Sequence, residues 1–291
     1  MMSKLAIIAS MLHERLQAKE DQLVIVDCRF QLGQPSSGRS AYEASHIPGA
    51  MYLDLEQDLS GPKSPDGRGG RHPLPDAEEL ARKLSAVGIG QTTSVVAYDD
   101  QGGAMASRLL WLLQWAGHQG EAALLAGGFA GWQAAGCEVT SEVPAARPAS
   151  FKADVRSGLV VDAAYVREQA GQAGVTLVDS REAPRYRGEQ EPIDPVAGHI
   201  PGAVNRFWKD SFAENGTFKD AASQEARFPG VGKDDEVIVY CGSGVTATPN
   251  VLALQSAGYR NVKLYAGSWS DWVSYSLNPV AVGDEEAPSG E

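Results

Sequence analysis

At 291 residues, 43% hydrophobic and 21% charged, the chain is long enough for two domains of ordinary size, each burying its own core. Its formal charge of −12 is spread evenly, with 11 basic against 17 acidic residues up to position 145 and 14 against 20 beyond it, which argues against nucleic acid or an anionic membrane as a partner. Three cysteines (Cys28, Cys137, Cys241) are too few for a disulfide framework, no Cys/His spacing suggests zinc, and the cytoplasm is the default compartment.

In chain order, "KLAIIASMLHERL" has a short apolar core, early charges and no small-residue cleavage site. It therefore reads as a helix, opened by Ser10, rather than a signal peptide. The strand "LVIVD" follows, then an "HIPGA" turn after Ser45 and a long loop, "SGPKSPDGRGGRHPLP". A helix leads to the strand "SVVAYD", a glycine-rich loop, a further helix and strand, and the aromatic-ended turn "GGFAGW". A proline- and alanine-rich stretch without periodicity marks a linker at 143–153.

Beyond it the pattern repeats. Asp162 opens "AAYVREQ", "TLVDSR" matches "LVIVDCR", and "GHIPGAV" matches "SHIPGAM". Asp27 and Asp179 lie 152 apart, as do Ser10 and Asp162, and "GSWSDW" answers "GGFAGW". The expected architecture is α/β: two tandem domains, 1–142 and 154–282, each a mainly parallel sheet with helices on both faces, and a disordered tail at 283–291. The twice-used HIPGA turn reads as a backbone-shaping element.

In such sheets the chemistry sits at the carboxyl ends of strands. Cys241 is at such an end, in "VIVYCGSGVTATPN", while the matching slot of the first half, "VVAYDDQGGAMASR", holds Asp99. Gly242 and Gly244 let the backbone curl back into the next helix, so that the loop N–H groups form an anion cradle at the helix's positive end. A cysteine held there is favoured as thiolate, hence as nucleophile. Three chemistries suit it. A Cys-x5-Arg oxyanion site lacks its arginine, because Ala247 stands there. A dinucleotide fingerprint, "GSGVTA", comes late in its domain and has no acidic partner for ribose. Sulfur transfer through a persulfide fits a loop sized for one sulfur atom.

Two homologous halves, the HIPGA turns and a cysteine loop in the second half alone resemble the tandem-domain rhodanese (sulfurtransferase) family. The loop "CGSGVTA" is most similar to that of its 3-mercaptopyruvate-using members; thiosulfate-type loops commonly carry arginine and lysine after the cysteine. The resemblance implies that Cys241 is nucleophile and sulfur carrier, and that Gly242, Gly244, Val245 and Thr246 line the cradle. It further implies a relay of Ser243, His72 and Glu56, with Arg185 holding the donor's anionic end and the first domain forming a wall of the cleft. Arg68 and Arg71 could add positive charge. At one place the chain departs from the pattern: "EPIDP" puts Ile193 where a second carboxylate-binding arginine is often found, which keeps thiosulfate open as donor. The expected partners are a small-molecule sulfur donor and a small thiol, cyanide or thioredoxin-like acceptor, with no metal or organic cofactor. A rival reading is a persulfide-relay module that acts on no small donor.

Overall fold

In the computed structural model, which describes residues 5–145 and 147–284, the chain divides into two compact units. The first takes the chain up to Gly61, Pro75–Arg156 and Phe212–Phe218; the second takes Pro62–Leu74, Ser157–Ser211 and the chain from Lys219. The long loop of the first half thus packs with the second unit.

The first unit runs β1 (Ala6–Ile7), α1 (Ala9–Gln17), β2 (Leu23–Asp27), α2 (Ser37–Ala44), β3 (Met51–Tyr52), α3 (Ala77–Ala86), β4 (Ser94–Tyr98), α4 (Ala104–Trp115), β5 (Ala122–Leu125) and α5 (Gly128–Ala134). All its strands pair in parallel, in the order β1-β5-β4-β2-β3. The second runs β6 (Val160–Val161), α6 (Ala163–Gln169), β7 (Val175–Asp179), α7 (Ala183–Tyr186), β8 (Ala203–Asn205), α8 (Ala221–Glu225), β9 (Glu236–Tyr240), α9 (Thr248–Ser256), β10 (Asn261–Tyr265) and α10 (Ser268–Trp272). Its parallel order, β6-β10-β9-β7-β8, is the same topology.

The central strands read as unbroken β-branched and apolar runs because both sheet faces are covered. Each unit has its own core: Leu12, Ile25, Ile47, Tyr98 and Trp132 in the first, Val166, Leu177, Ile200, Tyr240 and Trp272 in the second. Asp162 caps α6 by accepting from the Tyr165 N–H at 2.8 Å, as expected. Ser10 does not cap α1. The helix starts two residues earlier, at Ala9, after an extended Ile8, because Ala6–Ile7 is drawn into the sheet beside β5. The first and third strands of each unit, and the short helices before the HIPGA turns, go beyond what the sequence pattern shows; the aromatic-ended turns are helices α5 and α10. Most of the proposed tail, 285–291, lies outside the described residues.

The HIPGA histidines are structural. His46 is buried, contacts the Tyr42 carbonyl through Nδ1 at 2.6 Å and stacks on that ring, with centroids 4.0 Å apart. His199 repeats this with Tyr186, at 2.8 Å and 3.8 Å.

Register fixes the equivalence of the two loops. Asp27 pairs with Tyr98 as Asp179 pairs with Tyr240, so Asp99 and Cys241 occupy the same step off the sheet. Asp99 fills its own cradle. Its Oδ1 accepts from the N–H groups of Gln101 (2.9 Å) and Gly103 (2.8 Å), and its Oδ2 from those of Met105 (2.8 Å) and Ala106 (3.0 Å). Burial pushes this carboxyl up, and the four donors oppose that shift. Asp99→Ala strands buried N–H groups and is expected to cost about 3 kcal/mol in urea unfolding, whereas Asp99→Asn, which keeps one acceptor oxygen, costs less.

Candidate active site

The second unit ends β9 at Tyr240 and turns sharply through Cys241–Ala247 into α9. Gly244 has φ +75°, and a Cβ there would strike the Ala266 carbonyl oxygen, so only glycine closes this turn. Cys241 is buried, at 1% exposure. Its carbonyl accepts from Trp269 N–H at 2.9 Å and the Gly242 carbonyl from Ser270 N–H at 3.0 Å, which ties the loop to α10. Among the described residues, no carbonyl or side chain accepts from the N–H groups of Gly242, Ser243, Val245, Thr246 or Ala247. That is the cradle Asp99 fills in the first unit, here with a thiol at its base.

Ser243 and His72 meet: Oγ and Nδ1 are 2.8 Å apart and both residues are buried, at 7% and 4% exposure. With Nδ1 unprotonated, the hydroxyl donates to it. The segment that brings His72 is pinned by its backbone, Gly69 N–H donating to Asp271 Oδ1 at 2.8 Å and Arg71 N–H to Ser270 Oγ at 3.1 Å. Glu56 belongs to the first unit, half-buried, with its N–H on Asp54 Oδ1 at 2.8 Å.

Arg185 and Arg71 both reach the cysteine loop. A Cβ on Gly242 would lie 2.9 Å from Arg71 Nη2 and 3.6 Å from both terminal nitrogens of Arg185, so glycine at this position makes room for two guanidiniums. Asp194 joins them, accepting from Arg71 Nη1 and from Arg185 Nη2, the latter at 3.2 Å. Glu191 takes Arg185 as a fork, at 2.6 and 3.1 Å, and also accepts from Arg181 Nη1 at 3.2 Å. Arg181 itself is buried on Asp179. Arg187 pairs at the surface with Glu189, and Arg68 with Asp66. Ile193 is exposed and lines the same cavity as Arg71 and Asp194.

Sequence reasoning offered Glu191 only as an ordinary surface partner for the arginines, and it missed Asp194. Glu191 and Asp194 sit among other acidic residues, and nothing in their spacing announces buried partners. It also missed Ser268, whose Oγ accepts from Cys241 N–H at 3.1 Å. Ser268 holds φ +57°, a left-handed conformation, where the first unit has Gly128 at the same φ. The signal was "GSW" against "GGF". Cys28 is inert by contrast: burial first, then Asp27, push its thiol well up.

Known proteins resemble the chain over most of its length. The rhodanese-like domain matches twice, at residues 9–135 and 162–275. A Pseudomonas aeruginosa protein named "Probable 3-mercaptopyruvate sulfurtransferase" is 48% identical over 268 residues, covering 91% of this chain and 94% of its own. A thiosulfate sulfurtransferase of Corynebacterium glutamicum is 31% identical over 258 residues, covering 84% of this chain and 82% of its own. The crystal structure of SseA from Escherichia coli, a 3-mercaptopyruvate sulfurtransferase, superposes with a TM-score of 0.79 at 31% identity, covering 92% of this chain and 99% of that one. The chain belongs to the rhodanese family, in its tandem-domain form. No described helix is long and apolar enough to cross a membrane.

Glu191 is held ionised: burial works against it, but Arg185 and the N–H groups of Asp194 and Ile193 outweigh burial and lower its carboxyl below the ordinary range. A lowered folded-state value adds stability above the unfolded pKa and loses it as pH falls through the folded one. Glu191→Gln should therefore cost about 2 kcal/mol in urea unfolding at neutral pH. The gap to wild type should narrow as pH is taken from about 5 to about 3.

Proposed function

We propose that the chain is a sulfurtransferase that takes sulfur from 3-mercaptopyruvate and passes it on through a persulfide on Cys241. The observation that carries this reading is the hydrogen bond between Ser243 and His72, 2.8 Å long and buried beside the cysteine loop. A hydroxyl-imidazole pair can move a proton at a donor that carries a thiol and a ketone. A thiosulfate dianion offers no such proton.

In the first half-reaction the Cys241 thiolate attacks the sulfur of the donor. The S–S bond forms, the C–S bond breaks, and its electron pair leaves on the carbon that becomes the pyruvate enolate. The enolate takes up a proton to give pyruvate, and the donor's thiol hydrogen stays on the outer sulfur until the persulfide ionises. Ser243 and His72, with Glu56 as the acid of the relay, handle the proton. Arg185 holds the carboxylate, and the N–H groups of Gly242, Gly244, Val245 and Thr246 stabilise the charge on the persulfide. In the second half-reaction an acceptor (a small thiol, cyanide or a thioredoxin-like protein) attacks the outer sulfur and restores the Cys241 thiolate. A catalytic thiol of this kind belongs in a reducing compartment, which makes the cytoplasm the expected location.

Thiosulfate is the second reading, favoured by Ile193 at the position where another arginine is expected. Intact mass after brief exposure to each donor separates the two. We expect one added sulfur atom from 3-mercaptopyruvate, absent in Cys241→Ser. Loading from thiosulfate alone would overturn the donor, and loading from neither would leave a relay module as the better account. Ser243→Ala and His72→Ala should each lower kcat with 3-mercaptopyruvate by about a hundredfold, measured as pyruvate release.

A further inference from the structure

The second unit gathers three guanidiniums and three carboxylates beside the cysteine loop: Arg71, Arg181 and Arg185 against Asp179, Glu191 and Asp194. Arg181 and Asp179 neutralise each other. Glu191 fixes Arg185 and, by accepting from the N–H groups of Ile193 and Asp194 at 3.1 and 3.0 Å, also shapes the chain that presents Asp194. What remains at the loop is one carboxylate shared by two guanidiniums.

Resting on the sulfurtransferase reading above, we propose that Arg71, Asp194 and Arg185 form a charge-selecting clamp. In it Arg71 supplies the second cation that Ile193 does not, and Asp194 tunes the pair to a donor bearing a single negative charge. Three observations carry this. Arg71 Nη2 and both terminal nitrogens of Arg185 converge on the one face of Gly242 where a side chain would otherwise stand. Arg71 and Ile193 line the same cavity, which Arg71 reaches from the loop at 62–74. The Asp194 side chain is 3% exposed, against 23% for Arg71 and 16% for Arg185, so the carboxylate lies behind the guanidiniums and leaves them facing outward.

The selectivity follows from charge. With Asp194 ionised the six groups sum to zero, and an incoming anion is held by directed N–H bonds rather than by a net field. A monoanionic carboxylate suits such a fork. A dianion brings a second charge next to the Cys241 thiolate and meets no surplus cation to offset it.

The test is the ratio of kcat/KM for thiosulfate to that for 3-mercaptopyruvate, with cyanide as acceptor, in wild type, Asp194→Asn, Asp194→Glu and Arg71→Met. Asp194→Asn leaves a surplus positive charge and should raise the ratio at least tenfold, about 1.4 kcal/mol. Asp194→Glu should keep it near the wild-type value. Arg71→Met should raise KM for 3-mercaptopyruvate about tenfold, with a smaller change in kcat. An unchanged ratio in Asp194→Asn together with an unchanged KM in Arg71→Met overturns the clamp. Calorimetric titration of pyruvate and of sulfate into Cys241→Ser, with and without Asp194→Asn, reads the same preference without turnover. The asparagine should tighten sulfate relative to pyruvate at least tenfold, and equal effects on both anions would overturn the proposal. If wild type turns over neither donor, the sulfurtransferase reading fails, and the titration alone decides whether the clamp selects charge.

Discussion

The site hangs on a buried ion pair. Asp179 closes β7, and Arg181, two residues on, folds back to it with its guanidinium 2.6 Å from Oδ2. From there Arg181 reaches the Gly198 carbonyl at 2.6 Å, which secures the HIPGA turn, and Glu191 at 3.2 Å, which holds Arg185. The register that pairs Asp179 with Tyr240 also puts Cys241 at the next step. One ion pair thus ends the strand, anchors the turn and sets the height of the nucleophile. Losing either partner would leave a buried charge uncompensated, at about 3–5 kcal/mol. The first unit repeats the base of this arrangement, Arg29 forking onto Asp27 and reaching the Ser45 carbonyl at 2.7 Å.

The two loops are one device with different occupants. A turn off a parallel strand into a helix aims several N–H groups at one point, and something negative is stable there. In the first unit the chain supplies its own carboxylate, and four donors close on Asp99. In the second unit the same point holds a sulfur, with the N–H groups of Gly242, Ser243, Val245 and Thr246 left without an accepting group among the described residues. A filled cradle is a structural element. A cradle with a small thiol at its base keeps donors in reserve for charge that arrives during a reaction.

Much of this was legible. The strands at 23–27, 94–98 and 236–240 announce themselves because strands covered on both faces need no alternation, and the repeat supplies the topology twice over. Cys241 was singled out by its loop, and Ser243, His72 and Arg185 by resemblance. The short edge strands were not, since two residues such as Ala6–Ile7 or Val160–Val161 carry no periodicity. Nor was the meeting of Arg71 with Asp194, 123 positions apart. That contact depends on where a long loop packs, and a loop's path is written in backbone hydrogen bonds, such as those of Gly69 and Arg71, rather than in a hydrophobic pattern.

Ser268 shows what the second unit gives up for its site. The position requires φ near +57°, which Gly128 adopts in the first unit without strain. A serine there carries a left-handed backbone penalty of about 1–2 kcal/mol. In return its Oγ accepts from the Cys241 N–H at 3.1 Å while donating to the Tyr265 carbonyl at 2.9 Å. That N–H is thereby turned away from the cradle and the cysteine backbone is fixed from behind. At this position the strain falls on the half that holds the nucleophile, while the half whose cradle is already filled has glycine. The asymmetry between the halves therefore lies in a few side chains set on a shared frame, and not in the frame.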